Sequence, residues 1–168
     1  WRRVGDAPVY SPITIANPGF DTDTDWSKGT GWTIAGGVAT KSAGTASSLS
    51  QAISVIPGTM YLVTFTITVT SGLLIPKFTG GTEVVASGVG VTGAYEAVLV
   101  ATTGNNTLTF YGNSTFAGTL DTIALFAVSN TPALQTTTAN KPILRKTPTT
   151  CVYWLDANTS TSALNVAL

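Results

Sequence analysis

Residues 59–70 run Thr-Met-Tyr-Leu-Val-Thr-Phe-Thr-Ile-Thr-Val-Thr. The odd positions Tyr61, Val63, Phe65, Ile67 and Val69 are apolar, and after Leu62 the even positions Thr64, Thr66, Thr68 and Thr70 are all threonine. Side chains of an extended strand alternate between its faces, whereas a helix would scatter both sets around its circumference. A strict two-residue period therefore predicts an antiparallel strand with one face in a core and a hydroxyl face in water. Threonine suits the wet face because its β-branch fits the pleat while its hydroxyl stays hydrated.

Shorter segments repeat the theme. Residues 31–34 and 37–41 pair across Ala35-Gly36-Gly37, and residues 47–53 lead into a Pro57-Gly58 turn. Residues 73–79 contain Pro76, which cannot donate to a ladder and so belongs at an edge or a bulge. Gly80-Gly81 turns into residues 82–86. In residues 95–101, Tyr95, Ala97 and Leu99 share a face, opposite Glu96. Gly104-Asn105-Asn106 turns into residues 107–111, where Leu108 and Phe110 share a face, and residues 119–128 close the set. Short strands at intervals of roughly ten residues, with turn signals between them, predict an all-β antiparallel sandwich of jelly-roll type.

Composition narrows the chemistry. The 168 residues suit one domain, or one domain plus a tail, and the 43% apolar content is too high for a disordered chain. Eight basic residues balance eight acidic ones, so no basic footprint for nucleic acid or an anionic membrane is present. No apolar run reaches the roughly 18 residues of a membrane-spanning helix. The chain has no histidine, which removes the commonest general base and transition-metal ligand. The single cysteine, Cys151, has no partner in the chain for a disulfide, and its apolar setting reads as a buried small residue. The chain starts at Trp1 with Arg2 and Arg3 next and no apolar signal core. It is therefore expected to be a piece of a longer or processed polypeptide.

The organisation expected from these patterns has four parts. Residues 1–12 form an extended N-terminal arm, residues 13–128 the sandwich, and residues 129–150 an extended linker rich in Pro and Thr. Residues 151–168 form a strand-forming C-terminal segment opened by Cys-Val-Tyr-Trp-Leu. Trp1, Tyr10, Tyr153 and Trp154 are aromatics outside the core pattern. Aromatics are enriched in interface cores, so these four are candidate interface residues, against the plainer reading of ordinary linkers.

Three stretches carry a resemblance. Asn17-Pro18-Gly19-Phe20 is followed by Gly31-Trp32-Thr33-Ile34 and Gly37-Val38-Ala39. Leu49-Ser50-Gln51 is followed by Pro57-Gly58-Thr59-Met60-Tyr61. Gly118-Thr119-Leu120-Asp121-Thr122-Ile123 comes last. In this order they resemble carbohydrate-binding-module-like jelly rolls, over about two-thirds of the chain. Such domains serve as sugar-binding modules of secreted glycosidases or as tail, fibre and head-decoration proteins of tailed bacteriophages. The Thr- and Gly-rich, charge-poor strands resemble the phage versions more closely. The resemblance implies a non-catalytic virion structural protein at the virion surface, with other virion proteins and copies of itself as partners and a cell-surface glycan as a further one. The alternatives are an accessory module of a secreted or cell-surface enzyme, and a bacterial adhesin.

Candidate site residues follow. Sugars pack their C–H faces on exposed aromatic rings. Trp26, in the loop before the first hairpin, and Tyr111, on the face opposite Leu108 and Phe110, are the candidate glycan contacts; Trp32, Tyr61, Phe65 and Tyr95 read as core. Asp21, Asp23 and Asp25 alternate within five residues, a supply of hard oxygen ligands of the kind Ca²⁺ takes; the plainer reading is a solvated acidic loop. The family resemblance implies a structural Ca²⁺ shared between that loop and a closing-strand aspartate, which is Asp121 here. Catalysis has little to work with. A glycosidase needs two carboxylates flanking a cleft, the acids here are scattered, and no nucleophile–base motif is present.

Overall fold

The computed structural model describes residues 8–130, Arg145–Lys146 and Val152–Tyr153. Residues 8–130 form an all-β sandwich of two antiparallel sheets, with no helix among the described residues. Its strands are β1 Pro8–Ile13, β2 Ser27–Lys28, β3 Trp32–Ala35, β4 Val38–Lys41, β5 Ser47–Ala52, β6 Met60–Ser71, β7 Leu74–Thr79, β8 Val84–Val85, β9 Gly93–Val100, β10 Thr107–Gly112 and β11 Ala117–Asn130. The first sheet runs β3-β4-β11-β6-β9, with β1 also on β11; the second runs β2-β5-β10-β7-β8. From β4 to β11 the chain passes back and forth between the sheets. The resulting neighbours, 4-11-6-9 and 5-10-7-8, are the double Greek-key winding of a jelly roll.

Strand β6 carries the alternation seen in the sequence. Tyr61, Val63, Phe65 and Ile67 are buried, and the threonines between them face outward. Phe65 meets Phe110 of the opposite sheet edge-on, 5.4 Å between centroids, and Tyr61 meets Phe78 at 5.6 Å. Each such pair stabilises by about 0.5–1.5 kcal/mol beyond the area it buries. Pro76 lies in β7, beside the edge strand β8 and inside the sheet. Its carbonyl accepts from the Ala86 N–H at 3.0 Å, just past the end of the two-residue β8. The donor that proline lacks therefore points where the ladder is already ending.

The N-terminal boundary differs from the sequence expectation. Pro8–Ile13 is a strand rather than part of a free arm, paired residue for residue with β11 from Pro8↔Asn130 to Ile13↔Leu125. Among the described residues it pairs with β11 alone, and an edge strand tolerates Pro8 and Pro12. Ser129 and Asn130 likewise belong to β11 rather than to a linker. Separately, Arg145–Lys146 (β12) pairs antiparallel with Val152–Tyr153 (β13), which sets a strand inside the stretch expected to be extended linker. Trp1, Trp154 and most of residues 131–168 lie outside the described residues.

Candidate functional site

The outer face of the second sheet gathers polar side chains around one ring. In β10, Leu108 and Phe110 point into the core, so Tyr111 points out and is half-buried. Register places it between Ser48 of β5 and Ile75 of β7. The next row reads Ser27, Ser50, Thr109, Lys77, Val85. Lys77 lays its Nζ over the Tyr111 ring, 4.3 Å from the centroid. The same Nζ donates to Glu83 Oε1 at 2.9 Å. Beside them the Thr79 and Thr109 hydroxyls are bonded at 2.9 Å. The result is a shallow surface of one aromatic ring, a lysine–glutamate pair and a border of serine and threonine hydroxyls. The Lys77 side chain is 14% exposed and that of Glu83 49%, so the lysine is held against the sheet while its partner carboxylate faces solvent. The outward face of Tyr111 followed from the alternation of β10. Lys77 was missed, although the alternation Ile75, Lys77, Thr79 carried the signal.

Trp26 does not join Tyr111. Its ring is 6% exposed, 5.3 Å from Phe20 and 6.3 Å from Phe110, and its Nε1–H donates to the Asn17 carbonyl at 3.1 Å. A loop position suggested exposure, but the loop folds back and seals the end of the core with this side chain. Trp32 is also buried, 6.2 Å from Phe116. Tyr95 is partly buried and stacks on Phe65 at 5.9 Å.

The four aspartates do not form a cage either. Among the described residues no three acids, histidines or cysteines are grouped so as to hold a metal ion. Asp23 is ion-paired with Lys28, Asp25 Oδ2 accepts from the Thr24 hydroxyl at 2.6 Å, and Asp121 Oδ1 accepts from the Thr122 N–H at 2.6 Å. Here Phe20 and Asp25 take left-handed φ values of 56° and 67°, and the loop coils. These residues do not fit the expected structural Ca²⁺.

Two buried polar residues that sequence reasoning passed over hold connecting segments at opposite ends of β5. Gln51 binds the first loop through Ala16 and Asp25. Lys41 is 1% exposed, and its ammonium donates to the Ser42 and Thr45 carbonyls at 2.8 and 3.0 Å. Burial pushes its pKa below the ordinary lysine value.

A second concavity, of about 330 Å³, lies between the edge strands β8 and β9, lined by Phe65, Val85, Ala86, Ser87, Glu96 and Val98 among others. Glu96 is its single acid, and a glycosidase cleft requires two.

No family model matches the chain, and no curated protein matches it. Among solved structures, the chain is similar to TmCBM61 in complex with beta-1,4-galactotriose, at a TM-score of 0.47 and 22% identity, over 70% of this chain and 99% of that one.

Proposed function

We propose that this chain is a non-catalytic, glycan-binding β-sandwich that takes its ligand on the outer face of the β2-β5-β10-β7-β8 sheet. The observation that carries the reading is Tyr111, a partly exposed ring on the outer face bordered by hydroxyls and by the Lys77–Glu83 pair. A pyranose stacks its C–H face on the ring. A sugar stacked there displaces the Lys77 ammonium from the ring, and Lys77 and Glu83 offer a donor and an acceptor to its hydroxyls. One ring and a border of short hydroxyl side chains make few contacts with a sugar, so binding is weak per site and gains from repetition. Such a module works outside the cell, on a secreted or surface protein or on a virion. Affinity electrophoresis of the purified chain through gels containing different polysaccharides tests the reading. Retardation by at least one of them supports it, and unchanged mobility in a broad panel contradicts it.

A second reading, a structural part of a larger assembly such as a bacteriophage tail, fibre or head decoration, draws support from one observation. Tyr10, expected at an interface, lies exposed on β1 and packs edge-on to Phe126, 6.4 Å between centroids. The two readings are compatible, because Tyr10 and Tyr111 belong to different sheets.

A further inference from the structure

The two charges at the Tyr111 face are unevenly placed. The Lys77 ammonium lies over the ring, 4.3 Å from its centroid, and donates to Glu83 Oε1 at 2.9 Å. The lysine side chain is mostly covered, whereas that of the glutamate is about half exposed. The charge that meets an approaching ligand is therefore the carboxylate. Nothing else across the face offsets it. Ser48 and Ile75 flank Tyr111, and Ser27, Ser50, Thr109 and Val85 share the row of Lys77. None of them ionises. Lys77 is the one cation in these two rows, and Glu83 already occupies it. Ring and ammonium are carried on the strands β10 and β7, while Glu83 stands in the turn between β7 and β8.

We propose that Glu83 is the specificity-determining residue of this face, and that the ligand class it sets is neutral glycans, with uronic-acid and sulfated glycans turned away. The proposal rests on the glycan-binding reading of Tyr111. A sugar stacked on the ring takes the place of the ammonium and so comes against the carboxylate that the ammonium was bonded to. The hydroxyls of a neutral sugar both donate and accept, so they satisfy Glu83 and Lys77 together. A sugar carboxylate or sulfate has no proton to donate. It accepts from Lys77 only in competition with Glu83, and two anions then share one ammonium at close range, which costs free energy. Without Glu83 the same lysine would draw anionic sugars onto the ring through a charge-assisted hydrogen bond. Specificity here comes from the repulsive group as much as from the attractive ones.

Titration calorimetry of the full chain tests the proposal. The probes are a neutral polysaccharide that the wild type binds and the same polymer oxidised at its primary alcohols to the uronate. The wild type is expected to bind the oxidised form at least about tenfold more weakly than the neutral one. Glu83→Gln is expected to raise the ratio of oxidised to neutral affinity by at least about tenfold, and added salt to abolish that gain, because the contact is between exposed charges. A substitution that merely disturbed the fold would weaken both polymers and leave the ratio where it was. Equal affinity of the wild type for the two polymers overturns the proposal, and so does a ratio that Glu83→Gln leaves unchanged; either result leaves Tyr111 standing as a glycan contact. A wild type that binds no neutral polysaccharide overturns the glycan-binding reading itself, and this proposal with it.

Discussion

Gln51 takes both backbone hydrogen-bonding groups of Ala16. Its Oε1 accepts from the Ala16 N–H at 2.9 Å, and its Nε2 donates to the Ala16 carbonyl at 2.8 Å and to the Asp25 carbonyl at 3.1 Å. One amide in β5 thus stands in for a strand neighbour and anchors both ends of the loop that delivers Trp26 to the core. Gln51→Ala removes the partner of three part-buried loop hydrogen bonds and is expected to destabilise by about 1–3 kcal/mol in denaturant unfolding. Gln51→Glu, which keeps an acceptor but loses the donor, is expected to lose at least as much at neutral pH. Wild-type stability in either variant contradicts this role.

Lys41 gives the fold a pH dependence of defined sign. Its folded-state pKa is lowered by burial, so the folded protein gives up this proton before the unfolded chain does. Well below the folded value both states are charged, and the burial cost is present in full. As pH rises from the folded value toward the ordinary lysine value of about 10.4, the unfolded state holds more protons and stability increases. Denaturant titrations through this alkaline window are expected to show that increase, and Lys41→Met to lack it. Equal slopes in the two proteins contradict the assignment.

Calcium is expected to leave stability unchanged. Asp23, Asp25 and Asp121 are engaged with Lys28, Thr24 and the Thr122 N–H. Melting curves with EDTA and with added Ca²⁺ should superimpose, and a drop in the melting temperature with EDTA contradicts this.

Gly118 sits at a register shift between β11 and β6. A Cβ there would fall 2.1 Å from the Thr68 carbonyl oxygen, and the obstacle is backbone that cannot turn aside. Gly118→Ala is expected to cost about 1–3 kcal/mol, the usual range for overpacking. Gly36→Ala faces open space, though at a left-handed φ of 63°, and is expected to cost less, about 1 kcal/mol. Denaturant midpoints for the two variants check that order.

The strands were legible because period-two alternation is a local signal, and the run Tyr61 to Val69 needed no tertiary context. β1 was not legible: an edge strand with two prolines owes its existence to its partner β11. Trp26 was misplaced because sequence shows that a residue lies in a loop but not whether the loop folds inward; Asn17 and Gln51 decide that from a distance. The acidic triplet misled for the same reason, since the left-handed turns at Phe20 and Asp25 depend on the folded loop. Tyr111 was placed correctly because its face follows from Leu108 and Phe110. The outward apolar rows Pro12, Phe126, Leu62, Val98 and Tyr10, Val128, Met60, Val100 were not legible, because they form only when β1, β11, β6 and β9 are set in register.

The central claim is that Tyr111 marks a glycan-binding face. Its most direct test is a glycan array probed in parallel with the wild-type chain and Tyr111→Ala, a substitution at a half-exposed position that should leave the melting curve close to wild type. The expected result is a defined set of glycans bound by the wild type and bound clearly more weakly by the variant, which lacks the stacking surface. Glycan binding that Tyr111→Ala retains, or no binding by the folded wild type, would contradict it.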